Sequence, residues 1–312
     1  MSAIELRGVT KRFGDVTAVR DLDLAVPAGE VYGFLGPNGA GKSTTINLLL
    51  DFVRPSAGSV RVLDRDAREE SVAVRERTGV LPEGFDVYER LTGRQHVEFA
   101  IESKEAADDP DAVLDRVGIL DAAERRAGGY STGMRQRLAL GMALVGSPDL
   151  LVLDEPSTGL DPNGAREMRE IVREETDRGA TVFFSSHILG QVEAVCDRVG
   201  ILRDGQLVAE DSVEGLREAA GTESRLRVSV DRVTDGATQA IEAVEGVSRA
   251  RSEGGEFVID CADSAKTEVL AAIEETGATV SDFETEEASL EDLFVAYTSD
   301  DDPAEPTEGA GA

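Results

Sequence analysis

The chain has 312 residues, 41% of them hydrophobic and 30% charged, with a formal net charge of -30 at pH 7. That length predicts two domains at about 150 residues each, and the hydrophobic fraction excludes a wholly disordered chain. Such acidity should repel nucleic acid and anionic lipid, since both carry phosphate charge, and disfavours them as direct partners. Lys11, Lys42, Lys104 and Lys266 are the lysines, so the basic residues are nearly all arginine. This composition fits a high-salt cytoplasm, where a Debye length of about 3 Å at 1 M salt screens self-repulsion. Cys196 and Cys261 lie far apart and outside any metal-ligand spacing, which predicts neither a disulfide framework nor a zinc site. Met1 to Thr10 reads as a strand rather than a leader, and no apolar run approaches the ~20 residues of a membrane span.

From the start to about Gly221, short β-rich runs alternate with helical stretches, the pattern of an α/β domain with a mainly parallel sheet. Strands are expected at Ile4 to Val9, Leu22 to Val26, Val31 to Leu35, Val60 to Leu63, Leu150 to Asp154, Thr181 to Ser185, Val199 to Leu202 and Gln206 to Ala209. Asp204-Gly205 marks a hairpin turn between the last two. Helices are expected over Lys42 to Phe52, from Thr92, where Thr92 and Gln95 make a capping-box pair, and after Ser131 and Asp161. The stretch from Thr92 to Gly128 lacks strand signals and reads as a helical insertion, the helical subdomain running to about residue 145. Beyond Gly221 a βαββαβ order predicts a small α+β, ferredoxin-like domain over residues 222–299. A short helix near Leu290 to Tyr297 and an acidic disordered tail over 300–312 complete the expectation.

The run Gly36-Pro37-Asn38-Gly39-Ala40-Gly41-Lys42-Ser43-Thr44 follows an apolar strand and opens a helix, the context a phosphate-binding loop requires. Gly36, Gly39 and Gly41 let backbone N–H groups turn toward phosphate oxygens, and the helix aims its positive end at them. Lys42 would reach the β and γ phosphates of a nucleotide, and Ser43 would place a hydroxyl on Mg²⁺. A twenty-residue stretch of this chain should carry about four acidic residues, yet Val31 to Leu50 has none. The core therefore reads as a P-loop nucleotide-triphosphatase fold with ATP and Mg²⁺ as cofactors. By itself the loop fits a kinase or a GTPase equally well.

Leu150 to Asp154 is an apolar strand ending in the carboxylates Asp154 and Glu155, at the sheet edge where ligands bind. Asp154 is expected to orient Mg²⁺ or its water, and Glu155 to polarise a water attacking the γ phosphate. His187 ends a second such run, Thr181 to Ser186, and is expected to contact the γ phosphate. His96, inside the helical insertion, reads as structural. Ser131 is a candidate N-cap whose helix offers free N–H groups to a second anion.

In this order the elements resemble the nucleotide-binding subunit of ABC transporters over roughly residues 1 to 220. Tyr130-Ser131-Thr132-Gly133-Met134-Arg135-Gln136-Arg137-Leu138 resembles that family's signature, usually Leu-Ser-Gly-Gly-Gln. Ser131 and Gly133 are kept, while Tyr130, Thr132 and Met134 depart as in exporter-type members. The resemblance implies that Ser131 and Gly133 complete the ATP site of a second subunit in a head-to-tail homodimer, with antiparallel N-terminal strands in the fold. It further implies that Phe13 stacks on adenine and that Ser157 to Asp161 is the D-loop, with Asp161 at the nucleotide. Glu83 stands where many relatives have a glutamine that senses Mg²⁺ and the membrane partner, a departure that puts a carboxylate there. Ser289-Leu290-Glu291-Asp292-Leu293-Phe294 resembles the closing motif of drug-export ATPases of the daunorubicin type. An ATP-hydrolysing subunit follows, held at the inner face of the membrane by a separate integral-membrane permease docking between the helical insertion and the Glu83 loop. The alternative is a soluble ABC ATPase acting on DNA or ribosomes without transport. The acidity has its own consequence: the thermal unfolding midpoint is expected to rise from low to molar KCl, and a flat or falling midpoint would contradict a high-salt adaptation.

Overall fold

A computed structural model describes residues 2–219, 224–234, 236–253 and 255–286. The chain divides into two compact units, Met1–Val213 and Glu214–Ala312. The expected boundary at 221, the helix near 290 and the closing motif and tail fall outside the described residues.

In the first unit the two longest strands, β1 (Ser2–Phe13) and β2 (Val16–Pro27), alternate buried and exposed residues because one face alone meets the core. By contrast β3 (Val31–Leu35) is buried throughout, as a central parallel strand must be. Next come α1 (Lys42–Leu49), β4 (Ala57–Val62), β5 (Arg65–Asp66), α2 (Ser71–Glu76) and β6 (Thr78–Leu81). The helical stretch supplies α3 (Gly93–Ser103), α4 (Pro110–Arg116) and α5 (Thr132–Leu144). The core resumes with β7 (Leu150–Asp154), α6 (Pro162–Asp177), β8 (Thr181–Ser186), α7 (Leu189–Glu193), β9 (Arg198–Arg203) and β10 (Gln206–Ser212), after which α8 (Val213–Ala219) opens at the boundary and belongs, but for Val213, to the second unit.

Two sheets result, one antiparallel in the order β2-β1-β4-β5 and one in the order β10-β9-β3-β8-β7-β6. In the second sheet β9, β3, β8, β7 and β6 are parallel, and β10 returns antiparallel through the Asp204-Gly205 turn. Both turn residues have positive φ, 50° and 79°, as a two-residue hairpin whose twist matches its strands demands. One hydrophobic core joins the sheets, with Ile4, Leu6 and Val60 from the first meeting Phe34, Val152 and Phe183 from the second and Ile46 of α1.

Two expectations need correction. Strand β6 was not anticipated, because four residues containing a glycine carry little strand signal; Gly79 is required there, since a Cβ would lie 2.0 Å from the Ala143 carbonyl. Helix α1 ends at Leu49 rather than Phe52, because Asp51 turns left-handed at φ 54° and sends Phe52 to the surface. The Thr92–Gln95 capping box is present in full at the start of α3. His96 is buried and structural: its Nε2 accepts the Tyr88 N–H at 3.0 Å while Nδ1 lies 2.7 Å from the Thr92 carbonyl.

The second unit contains β11 (Ser224–Val230), α9 (Ala237–Glu242), β12 (Val247–Glu253), β13 (Glu256–Cys261), α10 (Lys266–Glu275) and β14 (Val280–Glu286). Its antiparallel sheet runs β12-β13-β11-β14, the ferredoxin-like order, over a core of Leu226, Val228, Ile241, Phe257, Ile259, Val269 and Ile273. Among the described residues no helix is long and apolar enough to cross a membrane.

Candidate nucleotide site

Three parallel strands, β3, β7 and β8, end beside the helix α1, and a cavity of about 410 Å³ opens there. Pro37, Asn38, Gly39, Gly41, Lys42, Ser43 and Thr44 line it, together with Ala18, Glu83, Asp154, Glu155 and His187. Gly36 and Ala40 of the same loop lie behind the lining. A Cβ on Gly36 would sit 2.4 Å from the Leu202 carbonyl, and Ala40 is buried with its carbonyl accepting the Gly205 N–H at 2.9 Å. Gly41 is N-cap of α1 at φ 109°, with no side-chain cap bond and no acidic residue in the first turn. The first N–H groups of α1 therefore stay open to an anion at the positive end of the helix.

Lys42 is buried, its Nζ 2.6 Å from the Gly36 carbonyl and 3.4 Å from that of Pro37. The ammonium is held over the loop without closing an ion pair. Asp154 is buried at the end of β7, where Ser185 of β8 donates to Oδ1. Burial raises the Asp154 carboxyl above its ordinary range and the charge of Glu83 adds to this, while the Ser185 bond and the charge of Lys42 oppose it. Glu155 follows with φ 49°, a left-handed conformation rare for a residue with a side chain. Its carboxylate meets His187 Nδ1 at 2.9 Å and the Ser186 hydroxyl at 3.4 Å. A carboxylate held against an imidazole at a cavity rim can accept a proton from water and pass it on.

The donor set suits Mg²⁺ bound with a nucleotide. Among the described residues no group of three or more His, Cys, Asp or Glu could cage a metal, whereas Mg²⁺ characteristically takes one or two protein oxygens alongside phosphates and water, which Ser43 and Asp154 in the same lining would be able to offer. Glu83 lines the same cavity as a third carboxylate.

Besides Gly36 and Ala40, four expected residues lie outside the lining. Phe13 is half-exposed at the end of β1, with the Lys11 ammonium 4.7 Å from its ring centroid. Ser131 caps α5 by accepting the Met134 N–H at 3.2 Å, and Gly133 is in the first turn of that helix. Asp161 caps α6 by accepting the Gly164 N–H at 2.8 Å. Sequence reasoning did not anticipate Ala18 or Ser185 at the site, and it gave the expected Asp204-Gly205 turn no part in backing the loop. Only the serine, in the polar end of an apolar strand, left a local trace.

The ABC transporter family model matches residues 19–158, and the model for the C-terminal domain of DrrA1-3-like ATP-binding proteins matches residues 212–298. The daunorubicin/doxorubicin resistance ATP-binding protein DrrA of Streptomyces peucetius is 35% identical over 95% of this chain and 92% of its own length. The chain belongs to the ATP-binding subunits of ABC transporters. A fluoroquinolones export ATP-binding protein of Mycobacterium tuberculosis (strain ATCC 25618 / H37Rv) is 37% identical over 95% of the chain and 93% of its own. Among solved structures, an ABC transporter ATP-binding subunit matches at TM-score 0.66 and 26% identity, covering 70% of this chain and 94% of that one. The ABC subunit is thus an ATPase of a family that hydrolyses ATP to power transport.

The raised Asp154 carboxyl makes an opposed pair of effects testable. Ionised in the folded state above that raised value, it costs stability at neutral pH, and the cost fades as pH falls through it and the group protonates. Asp154→Asn should therefore raise the unfolding midpoint of the nucleotide-free protein at pH 7, with the advantage shrinking toward acid. The same variant should weaken the Mg²⁺ dependence of ATP binding by roughly tenfold or more. A lower midpoint at pH 7, or unchanged Mg²⁺ dependence, would contradict this account.

Proposed function

We propose that two copies of this subunit pair head to tail, so that ATP lies between Lys42 of one and Ser131 and Gly133 of the other, and separate after hydrolysis. Support comes from the geometry of one copy. The loop, the carboxylates and His187 line its cavity, while the N-terminus of α5 lines no part of it. In this reading Ser43 and Asp154 hold Mg²⁺, with Glu83 beside them, and Glu155 orients and deprotonates the attacking water. His187 steadies Glu155 and reaches the γ phosphate. Phe13 would face adenine and Asp161 would help form the seam between copies.

Closure drives a separate integral-membrane permease, which keeps the ABC subunit at the cytoplasmic face of the membrane. A groove of about 380 Å³ supports a docking place between the helical stretch and the Glu83 loop, with Phe52, Phe85 and Phe99 along it and Phe52 and Phe99 exposed. Exposed apolar surface of this kind marks a protein contact. Export is the direction we infer, since relatives covering nearly the whole chain are named for drug resistance and drug export. The acidic surface suits work in a salty cytoplasm.

The observation that carries the hydrolytic reading is the Glu155–His187 contact of 2.9 Å at the cavity. Glu155→Gln should keep ATP binding, lower turnover by about a hundredfold or more, and leave a long-lived ATP-bound dimer visible by sedimentation. Wild-type turnover in that variant would refute the role given to Glu155.

A further inference from the structure

The turn after β7 is gripped from two sides by amide side chains that none of the roles above uses. Gln136, on α5, donates from Nε2 to the Pro156 carbonyl at 2.9 Å and stands 3.5 Å from the Glu155 carbonyl. From the other side the Ser157 hydroxyl, itself buried, donates to Gln191 of α7, four residues beyond His187 in the chain. Within the turn the Thr158 N–H donates to the Glu155 carbonyl at 3.1 Å, and the Glu155 N–H donates to Ser185 at 3.1 Å. These bonds surround a residue at φ 49°, a conformation that persists where its surroundings over-determine it.

The start of α5 also packs directly on this turn. Gly159 has φ 77°, and a Cβ there would lie 2.5 Å from Thr132 Cγ2; one on Gly133 would lie 3.2 Å from the Gly159 carbonyl. Contact this close leaves no slack between the two segments. Ser131, Thr132 and Gly133 therefore belong to a helix start packed directly against the turn that carries Glu155.

We propose that Gln136 is a positioning residue for hydrolysis, holding the Glu155–Pro156 carbonyls so that a displacement at Ser131 is passed to the carboxylate of the same copy. The proposal rests on the reading of Glu155 as the hydrolytic carboxylate and of Ser131 as the contact to the other copy's nucleotide. Nucleotide arriving at Ser131 would then align a carboxylate that serves the second site, coupling the two sites through one amide. The coupling needs an N–H donor facing two carbonyl acceptors. Methionine fills the same volume without a donor, whereas lysine restores one.

The test compares steady-state ATP hydrolysis by the full chain carrying Gln136→Met or Gln136→Lys, with ATP-dependent dimerisation followed in the Gln136→Met, Glu155→Gln double variant. Gln136→Met should lose about ten- to a hundredfold in kcat, with KM for ATP and the unfolding midpoint nearly unchanged and the double variant still dimerising on ATP. Gln136→Lys should recover most of the lost rate. Wild-type kcat in Gln136→Met would overturn the proposal. So would equal losses in kcat, ATP binding and folding in both variants, which would mark the residue as structural. Glu155→Gln alone separates the two levels: if it turns over, the hydrolytic reading fails and the proposal falls with it, whereas a stalled Glu155→Gln beside an unaffected Gln136→Met sinks only the proposal.

Discussion

Lys42 lies buried in a cavity that also receives Asp154, Glu155 and Glu83, and its ammonium is tied to main-chain carbonyls rather than to any of those carboxylates. An ion pair closed inside the protein would have neutralised the site and left it inert. Instead the cation stays directed over the loop, and burial raises the Asp154 carboxyl even though the charge of Lys42 opposes this, so the cavity brings charge of both signs together without a closed pair. A polyphosphate arriving with a divalent cation would complement both the ammonium and the carboxylates. This electrostatic incompleteness is the constraint that the surrounding architecture serves, and it explains why a chain of net charge -30 keeps Val31 to Leu50 free of acid.

Close backbone packing holds the loop in place. The hairpin turn between β9 and β10 backs the loop, with the Gly205 N–H bonded to Ala40 and its carbonyl accepting the Arg20 N–H at 2.8 Å. A Cβ on Gly41 would come within 2.5 Å of the Ala18 carbonyl, so β2, the loop and the hairpin meet where no side chain fits between them. The two sheets thus hold the phosphate loop between them, which makes the antiparallel sheet part of the site's scaffold.

Much of this was legible in sequence wherever the chemistry is local. The glycines of the loop, the Thr92–Gln95 box, the caps at Ser131 and Asp161, the Asp204-Gly205 turn and the bounds of β3 and β7 each depend on residues a few positions apart. Features set by distant partners were not. Strand β6 exists because Gly79 lets it slide under Ala143, the end of α1 depends on a left-handed Asp51, and the grip on the Glu155 turn joins residues up to 34 apart in the chain. The cavity residues share one sheet edge and so could be guessed from strand ends. The placing of Phe13, Gly133 and Asp161 at the nucleotide, and of Ser131 at that of a second copy, came from resemblance alone, and one copy leaves all four apart from the cavity.

That separation is the central claim's point of exposure, because the proposed site needs parts from two copies. Mixing a Lys42→Ala subunit with a Ser131→Arg subunit and measuring ATP hydrolysis tests it most directly. Each variant alone should be inactive, and the mixture should regain measurable activity below the wild-type rate, since a mixed dimer pairs an intact Lys42 with an intact Ser131 across one seam while its other seam binds no nucleotide to align the working copy's Glu155. Wild-type hydrolysis by Ser131→Arg alone, or a mixture as inactive as its components, would contradict the account.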